Sequence, residues 1–315
     1  MRSFLAVALA FVGLAAAATN LAQPAQSVNT THFTDPGTGK TFRHFDCGVT
    51  QGNATAELKS TLSQLHTRDL SGPSIGARDA RYVGQRATAV TINTYFHVIT
   101  KQASVGSITQ SMVNQQLSAL NTMYKPFGIT FNLVATDFTA NDAWAVAAGS
   151  DMDACKKALR KGKYADLNLY FHTDLDGGIL GTCTLPTTVP KGAAATVYYS
   201  DGCNVQAETM PGGNIYGYSA GMTAVHETGH WLGLLHTFEG YSCTGTGDYI
   251  ADTRVEATST DGCPDSPAKN SCTNVAGVDP IHNVMDYSTD ACYTGFTPGQ
   301  ISRVQTLWTQ YRQGN

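Results

Sequence analysis

Apolar and polar residues alternate along residues 89–100 (AVTINTYFHVIT), a run rich in Val, Ile, Thr, Tyr and Phe, and this predicts a strand. Ile108, Met112, Leu117, Leu120 and Met123 then recur at helical spacing, which predicts a helix over 108–124 that Pro126 ends. Further strands are expected at 129–135, 167–172, 179–186 and 196–199, with a short helix at 154–160. A helix is expected at 222–235. After it come about 45 residues crowded with Gly, Pro, Asp, Thr and Cys, then a last helix at 298–312. Strands and helices alternate first, and an irregular cysteine-rich half follows. The pattern is that of an α+β fold.

The first 80 residues differ from this body. Residues 1–18 (MRSFLAVALAFVGLAAAA) have a basic start, an apolar run and small residues at the end, as a secretory signal peptide does. The apolar run is short for a membrane anchor, and no second stretch of about 20 apolar residues follows. Residues 19–80 are rich in Thr, Ser, Gly and Gln, with one amphipathic stretch at 56–66. They end in a basic run between Ala77 and Arg86 where a cut is expected. This segment reads as a propeptide preceding a globular domain at 81–315, the alternative being an extension without a role. Asn29 and Asn53 stand in N-glycosylation sequons. Eight cysteines suit an oxidising compartment. With 14% charged residues and a net charge of −4, the chain lacks the basic excess of a nucleic-acid binder, and no polybasic patch suggests a membrane partner. A soluble, secreted monomer is expected.

Candidate chemistry lies at 226–236, HETGHWLGLLH. His226 and His230 are four apart, so on a helix they project from one face and can share a Zn²⁺. Glu227 can reach a water on the open side of the metal. Gly233 can end the helix in a left-handed turn, so that the chain swings back and His236 supplies a third nitrogen. Three protein ligands and one water is a catalytic arrangement; structural zinc sites fill all four positions. A short HExxH recurs by chance, but the extended spacing fixes five positions in eleven.

The long zinc motif together with Asn283-Val284-Met285-Asp286-Tyr287 resembles the metzincin clan of zinc proteases. Within it, HETGHWLGLLHTF and DPIHNVMDYS look like the pappalysin family, in particular its fungal extracellular metalloprotease branch. ACKKALRKGKYADLNLYF, GDYIADT and FTPGQISRV match as well, so the resemblance spans about residues 90–312. Thr228 departs from the branched apolar residue usual there. The resemblance implies a twisted mixed sheet, an active-site helix and a loop-rich, disulfide-pinned C-terminal half. It implies His226, His230 and His236 as zinc ligands and Glu227 as general base and then acid. Met285 would be the methionine-turn floor, and Tyr287 a residue that can touch the metal or the intermediate. Protein or peptide substrates would pair with the strand at 179–186. The alternatives are a non-catalytic zinc-binding module of the same fold and a zinc amidase or deacetylase acting on small molecules. Glu227 argues against the first, and the edge strand and methionine turn against the second. The pocket beyond the scissile bond is expected near 288–292, where Asp290 suggests tolerance for a basic side chain.

The family pattern also suggests Cys243–Cys272 and Cys263–Cys292 disulfides. Cys47 could be a latency cysteine whose thiolate takes the open zinc position, or an ordinary disulfide partner. Of Cys155, Cys183 and Cys203, a Cys183–Cys203 pair is favoured. Asp248, Asp252 and Thr253 offer oxygen ligands on a Gly-rich loop, where some relatives carry calcium; a hydrogen-bonded turn explains them equally.

Overall fold

β-Branched and aromatic runs form a five-stranded mixed sheet. The computed structural model describes residues 32–34, 41–71 and 89–315; the expected signal peptide, Asn29 and the basic run up to Arg86 lie outside the described residues. Strands β1 (His32–Thr34) and β2 (Thr41–Arg43) pair antiparallel, and helix α1 (Ala56–Ser71) follows. The main sheet holds β3 (Val90–Thr100), β4 (Ile129–Ala140), β5 (Leu167–His172), β6 (Gly181–Cys183) and β7 (Cys203–Gln206). Their order in space is β4-β3-β5-β7-β6, with β6 antiparallel to β7 and the other neighbours parallel. Every residue of β5 is buried, as in a central strand with both faces covered. Strand β6 lies at an edge of the sheet, where a further chain segment can pair with its backbone.

The helices are α2 (Gln110–Tyr124), α3 (Asp142–Val146), α4 (Ser150–Leu159), α5 (Ala195–Tyr198), α6 (Met222–Trp231) and α7 (Pro298–Leu307). Thr109 caps α2 by accepting the Met112 N–H at 3.3 Å. The buried stripe of α2 is Met112, Val113, Gln116, Leu120 and Tyr124. Its two polar members tie it to α6: the Tyr124 hydroxyl donates to the Val225 carbonyl at 2.9 Å, and the Gln116 amide to the Gly221 carbonyl at 2.9 Å. Among the described residues no helix is long and apolar enough to cross a membrane.

Three expectations need correction. Residues 196–199 are not a strand; they fall within and just after α5. The strand in this region is β7, whose polar Asn204 and Gln206 are buried because each is hydrogen-bonded: Asn204 to the His172 ring, Gln206 to Leu175 N and Thr173 O. The strand expected at 179–186 is confined to Gly181–Cys183, and α6 stops at Trp231, short of residue 235.

The cysteine-rich half is held by Cys243–Cys272 and Cys263–Cys292. Arg254 adds to them, donating to the carbonyls of Ala276, Cys272 and Val275 and to Asp279 at 2.6 Å. Lys269 bridges Glu256 and Asp279, each at 2.9 Å.

A buried carboxylate joins the sheet edge to α6. Asp201 accepts from Arg312 at 3.1 and 3.2 Å, Arg160 at 3.2 Å, the Trp231 indole at 3.0 Å and the Thr184 hydroxyl at 2.9 Å. Burial by itself would raise its carboxyl, but the charges of Arg312 and Arg160 outweigh burial and hold it below the usual range. Replacing Asp201 with Asn leaves two buried guanidiniums without a counter-charge. Urea unfolding at pH 7 should show a loss of about 3–5 kcal/mol. Because the folded value is depressed, the wild-type contribution is present above the ordinary carboxylate range and is lost as pH falls through the folded value. The gap between the two proteins should therefore narrow in acid.

Candidate active site

Helix α6 is buried along its whole length and carries His226, Glu227 and His230. It ends in a Schellman turn. Gly233 takes φ +98°, its N–H bonds to the His230 carbonyl at 2.8 Å, and the Leu234 N–H bonds to the Gly229 carbonyl at 2.9 Å. A Cβ at Gly233 would also collide with Leu307. The reversal returns His236 to the helix face. The ring nitrogens of His226 and His230 are 3.1 Å apart, as are those of His230 and His236, Nε2 to Nε2 in each case.

The proton positions follow from the partners. His226 Nδ1 faces the Val284 carbonyl at 2.7 Å and His230 Nδ1 the Leu234 carbonyl at 2.8 Å. A carbonyl only accepts, so each Nδ1 donates and each Nε2 is left with a lone pair aimed at its neighbours. Burial keeps these imidazoles neutral, with His226 lowered to about 4 and the other two pushed further down. Lone pairs at this distance repel unless a cation lies between them. Tetrahedral zinc at about 2.05 Å from each nitrogen would set them about 3.3 Å apart, close to the spacing found. The donor set therefore fits a metal ion.

Glu227 stands next to this centre with both carboxylate oxygens buried and no hydrogen-bond donor at bonding distance. Burial raises it to about 8, offset in part by the nearby Cys47 thiol. Strand β6 passes so close that a Cβ on Gly181 would strike the Glu227 carboxyl. Beneath the helix, a Cβ on Gly229 would sit 2.5 Å from the sulfur of Met285, which is fully buried. The glycine of the motif thus lets the methionine turn approach. Thr228 is buried facing the helix, its hydroxyl donating to the Ala224 carbonyl at 2.7 Å.

Residues 44–49 cover the opposite side. The Cys47 sulfur and one nitrogen from each of the three histidines lie within 4.8 Å of one another, all four residues buried. Cys47 is in no disulfide. Burial and the Glu227 charge both push its thiol upward. Its backbone pairs parallel with Gly181, framed by Leu180 N to Asp46 O at 2.8 Å and Gly48 N to Gly181 O at 2.9 Å. The Tyr287 hydroxyl accepts from Cys47 N at 3.1 Å and donates to Cys47 O at 3.3 Å. Phe45 packs against His226 and Tyr287, ring centres 5.1 and 4.8 Å apart.

Residues 149–308 match a protein family described as pregnancy-associated plasma protein-A. An extracellular metalloprotease of Sordaria macrospora is 44% identical over 274 residues, covering 86% of this chain and 90% of that protein. The chain belongs to the pappalysin family of metalloendopeptidases. Another extracellular metalloprotease, from Colletotrichum graminicola, is 47% identical over 239 residues, covering 75% of this chain and 82% of that one. Mature mirolysin of Tannerella forsythia, solved with a cleaved peptide, has a TM-score of 0.60 at 26% identity, over 71% of this chain and 94% of its own. A promirolysin mutant superposes with a TM-score of 0.62 at 23% identity, over 84% of this chain and 94% of its own, and shares the fold.

Other candidates divide. The three disulfides are Cys183–Cys203, Cys243–Cys272 and Cys263–Cys292, as the pappalysin resemblance and the favoured third pair have it. The calcium candidates do not converge: Asp252 spends both oxygens on the start of α7, accepting from Thr297 Oγ1 and Gly299 N at 2.8 Å each. Asp248 is buried and accepts from Ile250 N at 2.9 Å, a local turn; Thr253 is buried beside it. Asp290 is largely buried and accepts the Ala220 N–H at 2.7 Å with one oxygen, just ahead of α6. Asn53 is exposed and shares a capping box with Thr50. Sequence reasoning missed Phe45, Gly181 and Asp201, whose roles come from residues distant in the chain.

In this pappalysin, Gly181→Ala should displace the Glu227 carboxyl by close to 1 Å, which lowers kcat about 100-fold while the metal bound per chain stays unchanged. Full activity in a casein assay would show that the cleft tolerates the added carbon.

Proposed function

We propose that the chain is a secreted, zinc-dependent endopeptidase held latent by its N-terminal segment, with residues 1–18 as signal peptide, 19–80 as prosegment and 81–315 as catalytic domain. The observation that carries the reading is the convergence of three neutral imidazole nitrogens beside an unpartnered buried carboxylate. His226, His230 and His236 would hold the ion, and Met285 would floor the site. A zinc ion bound there supplies Lewis acidity and lowers the pKa of a bound water toward 7. Glu227 takes a proton from the attacking water and delivers it to the leaving amine. The Tyr287 hydroxyl, engaged with the Cys47 backbone here, is freed when that segment leaves and can then hydrogen-bond the reacting carbonyl oxygen.

Substrate polypeptide binds extended along β6, using the backbone groups that Cys47 and Gly48 occupy in this state. Backbone pairing demands little of sequence, which suits digestion of varied extracellular proteins. Secretion is supported by the apolar N-terminus, the disulfides and the extracellular relatives; attachment of sugar at Asn29 and Asn53 belongs to the same route. The latency reading is supported by the buried Cys47 sulfur at the histidine centre, and by the promirolysin fold extending over more of this chain than mature mirolysin does.

A casein-type assay with and without a chelator tests the chemistry. Activity should vanish with the chelator, and Glu227→Ala should lower kcat/KM by about 10²–10⁴-fold. Activity that survives either treatment sinks the mechanism. For latency, full-length Cys47→Ser should show activity before any cut, and a silent zymogen would refute the thiol's part in it.

A further inference from the structure

We infer that residues 44–71 are a two-anchor inhibitor that stays bound to the catalytic domain after the chain is cut beyond residue 71, because helix α1 holds them independently of Cys47. The inference rests on the reading of this segment as a prosegment.

Contacts of the segment fall into two patches. The first is the cleft patch already described, with Phe45 and Cys47 over the histidines. The second, on helix α1, touches neither, and Gln51 links the two patches through Glu239, whose carboxylate lies 3.8 Å from His236 Nδ1. Gln51 donates from its backbone to Glu239 at 2.9 Å and from its side chain to the Tyr249 hydroxyl at 2.6 Å. Thr188 donates to Glu57 at 2.6 Å, and Thr61 shares a hydrogen bond with the Tyr311 hydroxyl at 3.1 Å. Leu58 and Leu62 are 0% exposed and belong to the main hydrophobic core. These two leucines are the buried residues of a sixteen-residue helix that is otherwise largely polar, the pattern of an amphipathic helix docked in a groove. The groove is built from the loop at Thr188, the segment after α6 that carries Glu239 and Tyr249, and the C-terminal turn at Tyr311. None of these contacts involves Cys47 or a histidine of the motif.

The order of the anchors along the chain matters. Both lie on the N-terminal side of residues 72–88, so a cut there leaves them on one fragment. Two weak sites on one short tether bind with a high effective concentration, and losing one leaves the other in place. Release then needs a second cut between the anchors, within residues 48–55.

The test uses the full chain, nicked by limited trypsin at Arg78, Arg81 or Arg86 and passed over a size-exclusion column with intact-mass detection. The fragment should co-elute with the catalytic domain, and should still do so in Cys47→Ser. In Leu58→Ala/Leu62→Ala it should bind about 100-fold more weakly and separate. A wild-type fragment that separates on the column overturns the inference, as does release in Cys47→Ser but not in the leucine variant. Should the leucine variant fail to fold, fluorescence anisotropy with labelled peptides 41–71 and 41–55 on the mature protein replaces it. Equal affinities would then overturn the inference, and about 100-fold tighter binding of the longer peptide would support it. A nicked complex that co-elutes yet digests casein would support the docking and refute the latency reading, so the two fail separately.

Discussion

Three buried imidazole nitrogens, with His230 Nε2 3.1 Å from each of the other two, are an electrostatic conflict, and folding must supply what holds them there. Two of the rings are one helical turn apart, which costs nothing in chain geometry. The third arrives only because Gly233 adopts a backbone conformation that side chains oppose. The same reversal presents the Leu234 carbonyl to His230 Nδ1, so the turn that delivers one ring also orients another. Val284, one residue before Met285, does the same for His226. The centre is thus preorganised by carbonyls that hold the Nδ1 protons of His226 and His230 and so aim their other nitrogens inward.

Around that centre the chain is short of counter-charge. Glu227 and the Cys47 thiol are both buried acids raised by burial; the carboxylate charge pushes the thiol further up, while the thiol offsets part of the rise at Glu227. An ion among the histidines would relieve both. The N-terminal segment then needs only modest contacts at the cleft itself, since its helix is fastened elsewhere. It also occupies the edge of β6, which would otherwise be an unprotected strand beside a reactive carboxylate.

The histidines, Glu227 and Gly233 were legible because their geometry is local: one helix and one turn state the whole arrangement in eleven residues. Met285, Tyr287 and the two C-terminal disulfides were reachable through family resemblance, since no spacing rule links residue 230 to residue 285. What stayed hidden depends on tertiary partners. The run at 196–199, with two tyrosines and a valine, has strand composition, yet it is one turn of helix. Strand β7 escaped notice because its polar residues are satisfied by partners that no periodicity reveals. Asp252 looked like a ligand residue, but both its oxygens are engaged at a helix N-terminus, where carboxylates are common for ordinary reasons. Phe45 left no local signal at all.

The Asp201 hub carries a kinetic consequence. Its strongest partner, Arg312, lies 111 residues further along the chain. While the polypeptide emerges during synthesis, Asp201 has Arg160 at hand but lacks its second guanidinium until the C-terminus is made. Trp231 and Thr184 share that carboxylate, so the end of the histidine helix and the loop after β6 gain their complete anchor only then. The order of translation thereby completes this anchor last, when the N-terminal segment, synthesised first, is already present beside the cleft.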